Sequence, residues 1–156
     1  MGEFTSALGL DRCPPFYRDA LFLSALMAGF LFWLVFWLFV PVQPMVLSQV
    51  LSWSFFSLTL WQPLLEELLF RGFLQGQLYR PAWGRRGRGG VTVANVMTSF
   101  LFMLGHGWYH PSFWAMGVMA PSIVFGYFRD RYASVYPSMA LHAFYNGGYF
   151  LLTGVP

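Results

Sequence analysis

Six residues stand out because of where they lie. Glu66, Glu67, Arg71, His106, His142 and Asn146 carry carboxylate, guanidinium, imidazole or amide chemistry inside stretches otherwise rich in Leu, Phe, Trp and Met. An ionisable side chain within a membrane-spanning segment costs about 2.5 kcal/mol or more on insertion scales, so it signals function by default. Glu67 and Arg71 are four apart, which places them on one helix face where an ion pair neutralises both. Glu66 is about 100° around that helix from Glu67 and is not Arg71's natural partner. It is left to act as a general base or acid. His142 and Asn146 are also four apart, and an imidazole and an amide on one face can hold a developing oxyanion. His106 follows Phe102 by the same spacing, one helical turn on.

These side chains need elements that hold them inside a bilayer. Of the 156 residues, 57% are apolar and 10% charged, with a mean hydropathy of +0.53. A soluble domain carries about a quarter charged residues, so an ordinary cytosolic domain is excluded. No Asp, Glu, Lys or Arg occurs from Ala20 to Leu65, from Val91 to Phe128 or from Tyr132 to Pro156. A helix needs about 20 residues to cross the hydrocarbon, and these stretches divide into five spans. The expected spans are 20–40, 45–79 with a kink or break at Pro63, 91–108, 113–128 and 133–152, an all-α polytopic bundle. Residues 1–19 read as an amino-terminal tail, and 20–156 as a single transmembrane catalytic domain with its core at 46–152. Span one is too long for a signal-peptide core of about 7 to 15 residues.

The net charge of +3 comes from arginine alone, since there is no lysine. So little solvated surface leaves no basic face for nucleic acid. The arginines of the tail, of the polar loop 80–90 and of Arg129-Asp130-Arg131 instead sort to one side of a five-span arrangement, with the amino terminus inside. The turns at Pro41 to Pro44 and Tyr109 to Ser112 hold no Lys or Arg and fall outside. At 1.5 Å per residue, Glu66 lies about 21 Å from Arg80, His106 about 23 Å from Val91 and His142 about 16 Å from Arg131. All reach the middle or outer half of the membrane. Cys13, the sole cysteine, excludes an internal disulfide and reads as a small residue of the tail.

Other chemistries fit less well. HExxH is absent, and although His106 and His110 are four apart, Gly107 and Pro111 interrupt the helix face a zinc site would need. GxSxG is absent too, and no serine stands beside the histidines. A non-enzymatic scaffold, immunity protein or small transporter would use the buried charges for packing or proton relay, but a transporter of this kind would show two related halves.

The strings Glu66-Glu67-Leu-Leu-Phe-Arg71, Phe102-Met-Leu-Gly-His106 and His142-Ala-Phe-Tyr-Asn146 resemble the motifs EExxxR, FxxxH and HxxxN/D of the CAAX-protease and bacteriocin-processing family of glutamate-type intramembrane proteases. The resemblance covers Leu64 to Asn146. It implies that Glu66 and His106 activate a water, that His142 and Asn146 stabilise the oxyanion, and that Glu67, Arg71 and Phe102 organise the site. It also implies that no metal or other cofactor takes part. The substrate would be a membrane-anchored protein or peptide in the bilayer. An outward site resembles the small bacterial members thought to cut carboxy-terminal sorting signals of the JDVT-CTERM type, in the bacterial inner membrane. A cytoplasmic site would instead suit a CAAX-type prenyl-protein endopeptidase.

Overall fold

The computed structural model describes residues 2–11, 13–42, 45–108 and 112–155, with the side chains of 2–4 and 112–114 left aside. His110, Pro44, Pro111 and Arg12 lie outside the described residues. The chain is mostly helical: α1 Gly2–Leu8, α2 Ala20–Phe39, α3 Leu47–Val50, then a helical rod α4 over 53–79, α5 Val93–Gly107, α6 Ser112–Gly117, α7 Met119–Tyr132 and α8 Tyr136–Thr153. It divides into two compact units, one of Met1–Pro14 with Glu66–Ser138, the other of Pro15–Leu65 with Met139–Pro156.

Among the described residues one helix, Ala20–Phe39, is long and apolar enough to cross a membrane, with a mean hydropathy of 2.3 over its best window. The other expected spans are divided or begin later than expected, each for a local reason. Ser52 ends the chain's first turn after α3 and caps α4 by accepting from the Phe55 amide at 3.2 Å. Span three starts at Val93 because Val91–Thr92 pair with Gly87–Arg88 in a short antiparallel hairpin, so the expected polar loop holds two strands. Span four is divided at Val118 between α6 and α7. Span five begins at Tyr136, after Ala133 (φ 49°) ends α7 in the left-handed region.

Pro63 does not break α4. The rod widens into π winding at Ser57–Trp61 just before it and again at Leu68–Gln75 after Glu67. A proline ring clashes with the carbonyl four residues back, and wider winding there relieves the clash.

The first unit has a polar interior. Glu67, Arg71, Gln75, Asn95, Thr98, Ser99 and Ser122 have no accessible surface, while Leu69, Phe73, Phe100 and Leu104 are exposed. Buried polar groups on helices that present apolar faces outward are joined by interhelical hydrogen bonds, as expected in lipid. Asn95 Nδ2 donates across to the Ile123 carbonyl at 2.9 Å, and within α5 Ser99 Oγ donates to Asn95 Oδ1 at 3.1 Å. A Cβ on Gly126 would lie 2.0 Å from Asn95 Oδ1, so α5 and α7 approach this closely only because residue 126 is glycine.

The amino-terminal tail is part of this unit. The Val135 amide donates to the Gly9 carbonyl at 3.1 Å and the Tyr136 hydroxyl to the Leu10 carbonyl at 3.1 Å. Gly9 has φ +71°, a conformation that a side chain would strain. Cys13 is exposed.

In the second unit α2 and α8 are joined through aromatic rings. The Trp33 ring packs against Phe144, tilted by 53° with the centroids 4.6 Å apart, and Tyr145 donates its hydroxyl to the Ala25 carbonyl at 2.8 Å.

Candidate active site

Glu67 and Arg71 form the pair that their spacing predicts. Arg71 Nε lies 3.3 Å from Glu67 Oε2, and both side chains are fully buried. Arg71 also donates from Nη2 to Ser122 Oγ on α7 at 2.6 Å. The guanidinium is therefore held from two helices, and the pair anchors the π-wound turn that starts at Leu68. Glu66, half-buried, precedes Glu67 on the same helix.

Phe102 joins this pair to His106. Its ring lies edge-on to Phe70 at 5.0 Å, 5.5 Å from the Arg71 guanidinium carbon, and 4.3 Å from the His106 ring. The contacts with Arg71 and His106 are of cation–π and ring-packing type. His106 Nδ1 lies 3.1 Å from the Phe102 carbonyl in the last turn of α5. A carbonyl only accepts, so this hydrogen bond puts a proton on Nδ1, and the neutral imidazole then carries its lone pair on Nε2. That tautomer is the one a histidine needs to take a proton from water through Nε2.

The structure thus gathers Glu67, Arg71, Phe102 and His106 within the first unit. His142 and Asn146 belong to the second. His142 is buried on α8, and Asn146, one turn on, donates from Nδ2 to the Leu58 carbonyl at 3.0 Å. Leu58 lies in the first π-wound stretch of α4. One of the two amide N–H groups of Asn146 is engaged there, so the residue bridges α8 to α4 besides any part it plays in chemistry.

Three polar residues of this region carried no signal in their spacing. Arg129 reads as a solvated loop charge in the sequence; it is instead buried in the last turn of α7, where it donates from Nε to the Arg71 carbonyl at 3.0 Å. A cation is favoured at a helix carboxyl end, which is why the helix runs on through it. Gln75, on α4, donates to the Gly126 carbonyl at 2.9 Å. Asp130 accepts from the Thr92 hydroxyl at 2.6 Å. Burial pushes the Asp130 carboxyl above the ordinary carboxylate range, opposed by its hydrogen bond with Thr92 and by the nearby Gln75, Arg129 and Arg71 side chains. The described residues hold no group of three or more His, Cys, Asp or Glu arranged to bind a metal ion.

The family model described as type II CAAX prenyl endopeptidase Rce1-like matches residues 29–148. The chain belongs to this family. The match takes in all three motif strings and both units. No curated protein and no solved structure matches the chain. As a member of the Rce1-like family, the protein is an integral membrane protease of CAAX type that acts on membrane-associated protein substrates.

Proposed function

We propose that the protein is a glutamate-type intramembrane endopeptidase that works without a metal, with Glu66 and His106 activating the attacking water and His142 and Asn146 stabilising the oxyanion. The observation that carries the reading is the 3.1 Å approach of His106 Nδ1 to the Phe102 carbonyl, which in the neutral imidazole leaves Nε2 as the basic nitrogen. The Glu67 and Arg71 pair, with Phe102 between it and His106, supports a site-organising role for these three residues. The same proposal includes five membrane spans with the amino terminus inside and the site towards the extracytoplasmic face. The substrate is then a protein cut beside its carboxy-terminal membrane anchor, at a sorting signal.

A second reading, a cytoplasmic cut of prenylated CAAX termini, is favoured by the family match itself. One assay separates the two. The purified chain in lipid nanodiscs, with EDTA present, is offered a farnesylated CAAX peptide and an anchor-junction peptide, each carrying a quenched fluorophore. Cleavage of the second and not the first supports the proposal; cleavage of the first alone transfers the site to CAAX processing; loss of all cleavage with EDTA and its return with zinc overturns the metal-free mechanism.

A further inference from the structure

We propose that Arg129 and Asp130, adjacent on α7, are positioning residues that lock the Glu66 helix to the His106 helix, as one device rather than two independent contacts. The proposal rests on the assignment of Glu66 and His106 above.

Three observations converge on this dipeptide, and a fourth joins α4 to α7. Arg129 Nε donates at 3.0 Å to the carbonyl of Arg71, in the middle of the π-wound stretch Leu68–Gln75. Winding of that kind is rare and less well bonded than an α-helix, so it persists where surrounding groups determine it. Gln75 donates from the same stretch to the Gly126 carbonyl at 2.9 Å, a second bond between α4 and α7. Asp130 Oδ2 accepts at 2.6 Å from Thr92 Oγ1, and that hydroxyl oxygen in turn accepts the Asn95 amide at 3.1 Å as the amino-terminal cap of α5. Thr92 is 14 positions before His106, about 21 Å along the helix, so Asp130 cannot touch the chemistry. It acts on where α5 begins and how it is rotated. Arg129 acts on the turn that carries Arg71 and Glu67. Arg129 Nη1 also lies 3.9 Å from Asp130 Oδ1, so movement of one side chain is felt by the other.

A displacement of about 1 Å between catalytic groups costs up to roughly a hundredfold in rate, so a device of this kind shows in kcat more than in KM. The test uses the full chain in nanodiscs, the farnesylated CAAX and anchor-junction peptides as probes, and variants Thr92→Val, Thr92→Ser, Arg129→Met and Arg129→Lys. Spin labels on cysteines replacing Leu69 and Leu104, both exposed, report the distance between α4 and α5 in a Cys13→Ser background. Thr92→Val and Arg129→Met are expected to lower kcat roughly tenfold with KM within about twofold, and to broaden the distance distribution. Thr92→Ser and Arg129→Lys keep the donors and restore most of the rate. The Thr92→Val/Arg129→Met double variant should lose much less than the product of the two losses, because both disable one device. Unchanged kcat and distances in both single variants, or losses that multiply, overturn the proposal. Wild-type cleavage by Glu66→Gln would remove the assignment of the base, and the spin-label distances would still decide whether the lock exists.

Discussion

Arg71 Nε and Glu67 Oε2 meet at 3.3 Å where neither side chain has any accessible surface. A buried ion pair of this kind is weak evidence for stability by itself, because desolvating both charges offsets their attraction. Removing one partner is different. Glu67→Ala leaves the guanidinium buried without its carboxylate, and is expected to cost about 3 to 5 kcal/mol. Glu67→Leu/Arg71→Met, which removes both charges with little loss of volume, should recover much of that in thermal or denaturant unfolding while leaving the chain inactive. A Glu67→Ala protein as stable as wild type would show that the pair has no structural share.

Glu66→Gln and His106→Ala should abolish proteolysis while the protein still inserts and unfolds at nearly the wild-type temperature. The expected loss for a positioned general base is about 100-fold to 10,000-fold. His106→Gln is the informative control, since its amide donates a hydrogen bond and lacks a basic nitrogen. Activity in that variant would assign His106 to orientation and leave Glu66 as the only base.

The candidate site residues could be picked out in the sequence because charge is so costly in an apolar helix that the few ionisable positions can be read one by one. The spacing of four between Glu67 and Arg71 translated directly into a contact, as a local i,i+4 relation does. Arg129 was not legible, since an arginine beside Asp130 and Arg131 at the end of an apolar run has the same appearance whether it enters water or folds back onto the Arg71 carbonyl. Spans read from hydropathy also ran through Val118 and Ser52, where capping and turn geometry, not polarity, interrupt the helix. The π winding at Leu68–Gln75 has no compositional mark. The bond from Asn146 to the Leu58 carbonyl depends on a partner 88 positions away and on a backbone group, which no side-chain pattern encodes.

Gly126 tests how tightly α5 and α7 are fitted. A methyl group there would stand 2.0 Å from Asn95 Oδ1 and 2.9 Å from Gln75 Oε1. Overpacking of this kind costs typically about 1 to 3 kcal/mol, and Gly126→Ala should fall in or above that range. Asn95→Ala, added to Gly126→Ala, makes room at the cost of the bond to the Ile123 carbonyl. If Gly126→Ala costs as much in the Asn95→Ala background as in the wild type, the clash is not with Asn95.

Orientation decides which substrates can reach the site. Arg80, Arg85, Arg86 and Arg88 are exposed around the hairpin, and Arg85 holds the end of α4 by donating to the Arg80 carbonyl. Basic segments of this kind resist translocation, so the proposed orientation puts the hairpin inside the cell and the segments after α2 and α5 outside. Single cysteines at Gln43, Ala82 and Ser112, in a Cys13→Ser background, report the side by labelling with a membrane-impermeant maleimide. Ala82 is chosen over Gly87, where a Cβ would meet the Val91 carbonyl oxygen at 2.1 Å. Labelling of 43 and 112 from outside and of 82 only after permeabilisation is the expected pattern. Counting from the hairpin and from Val91, it leaves Glu66 and His106 about 21 to 23 Å from the basic side, within reach of an outward cut site. Labelling of 82 from outside would invert the arrangement, put Glu66 and His106 nearer the cytoplasmic face, and make a prenylated CAAX terminus the substrate that fits.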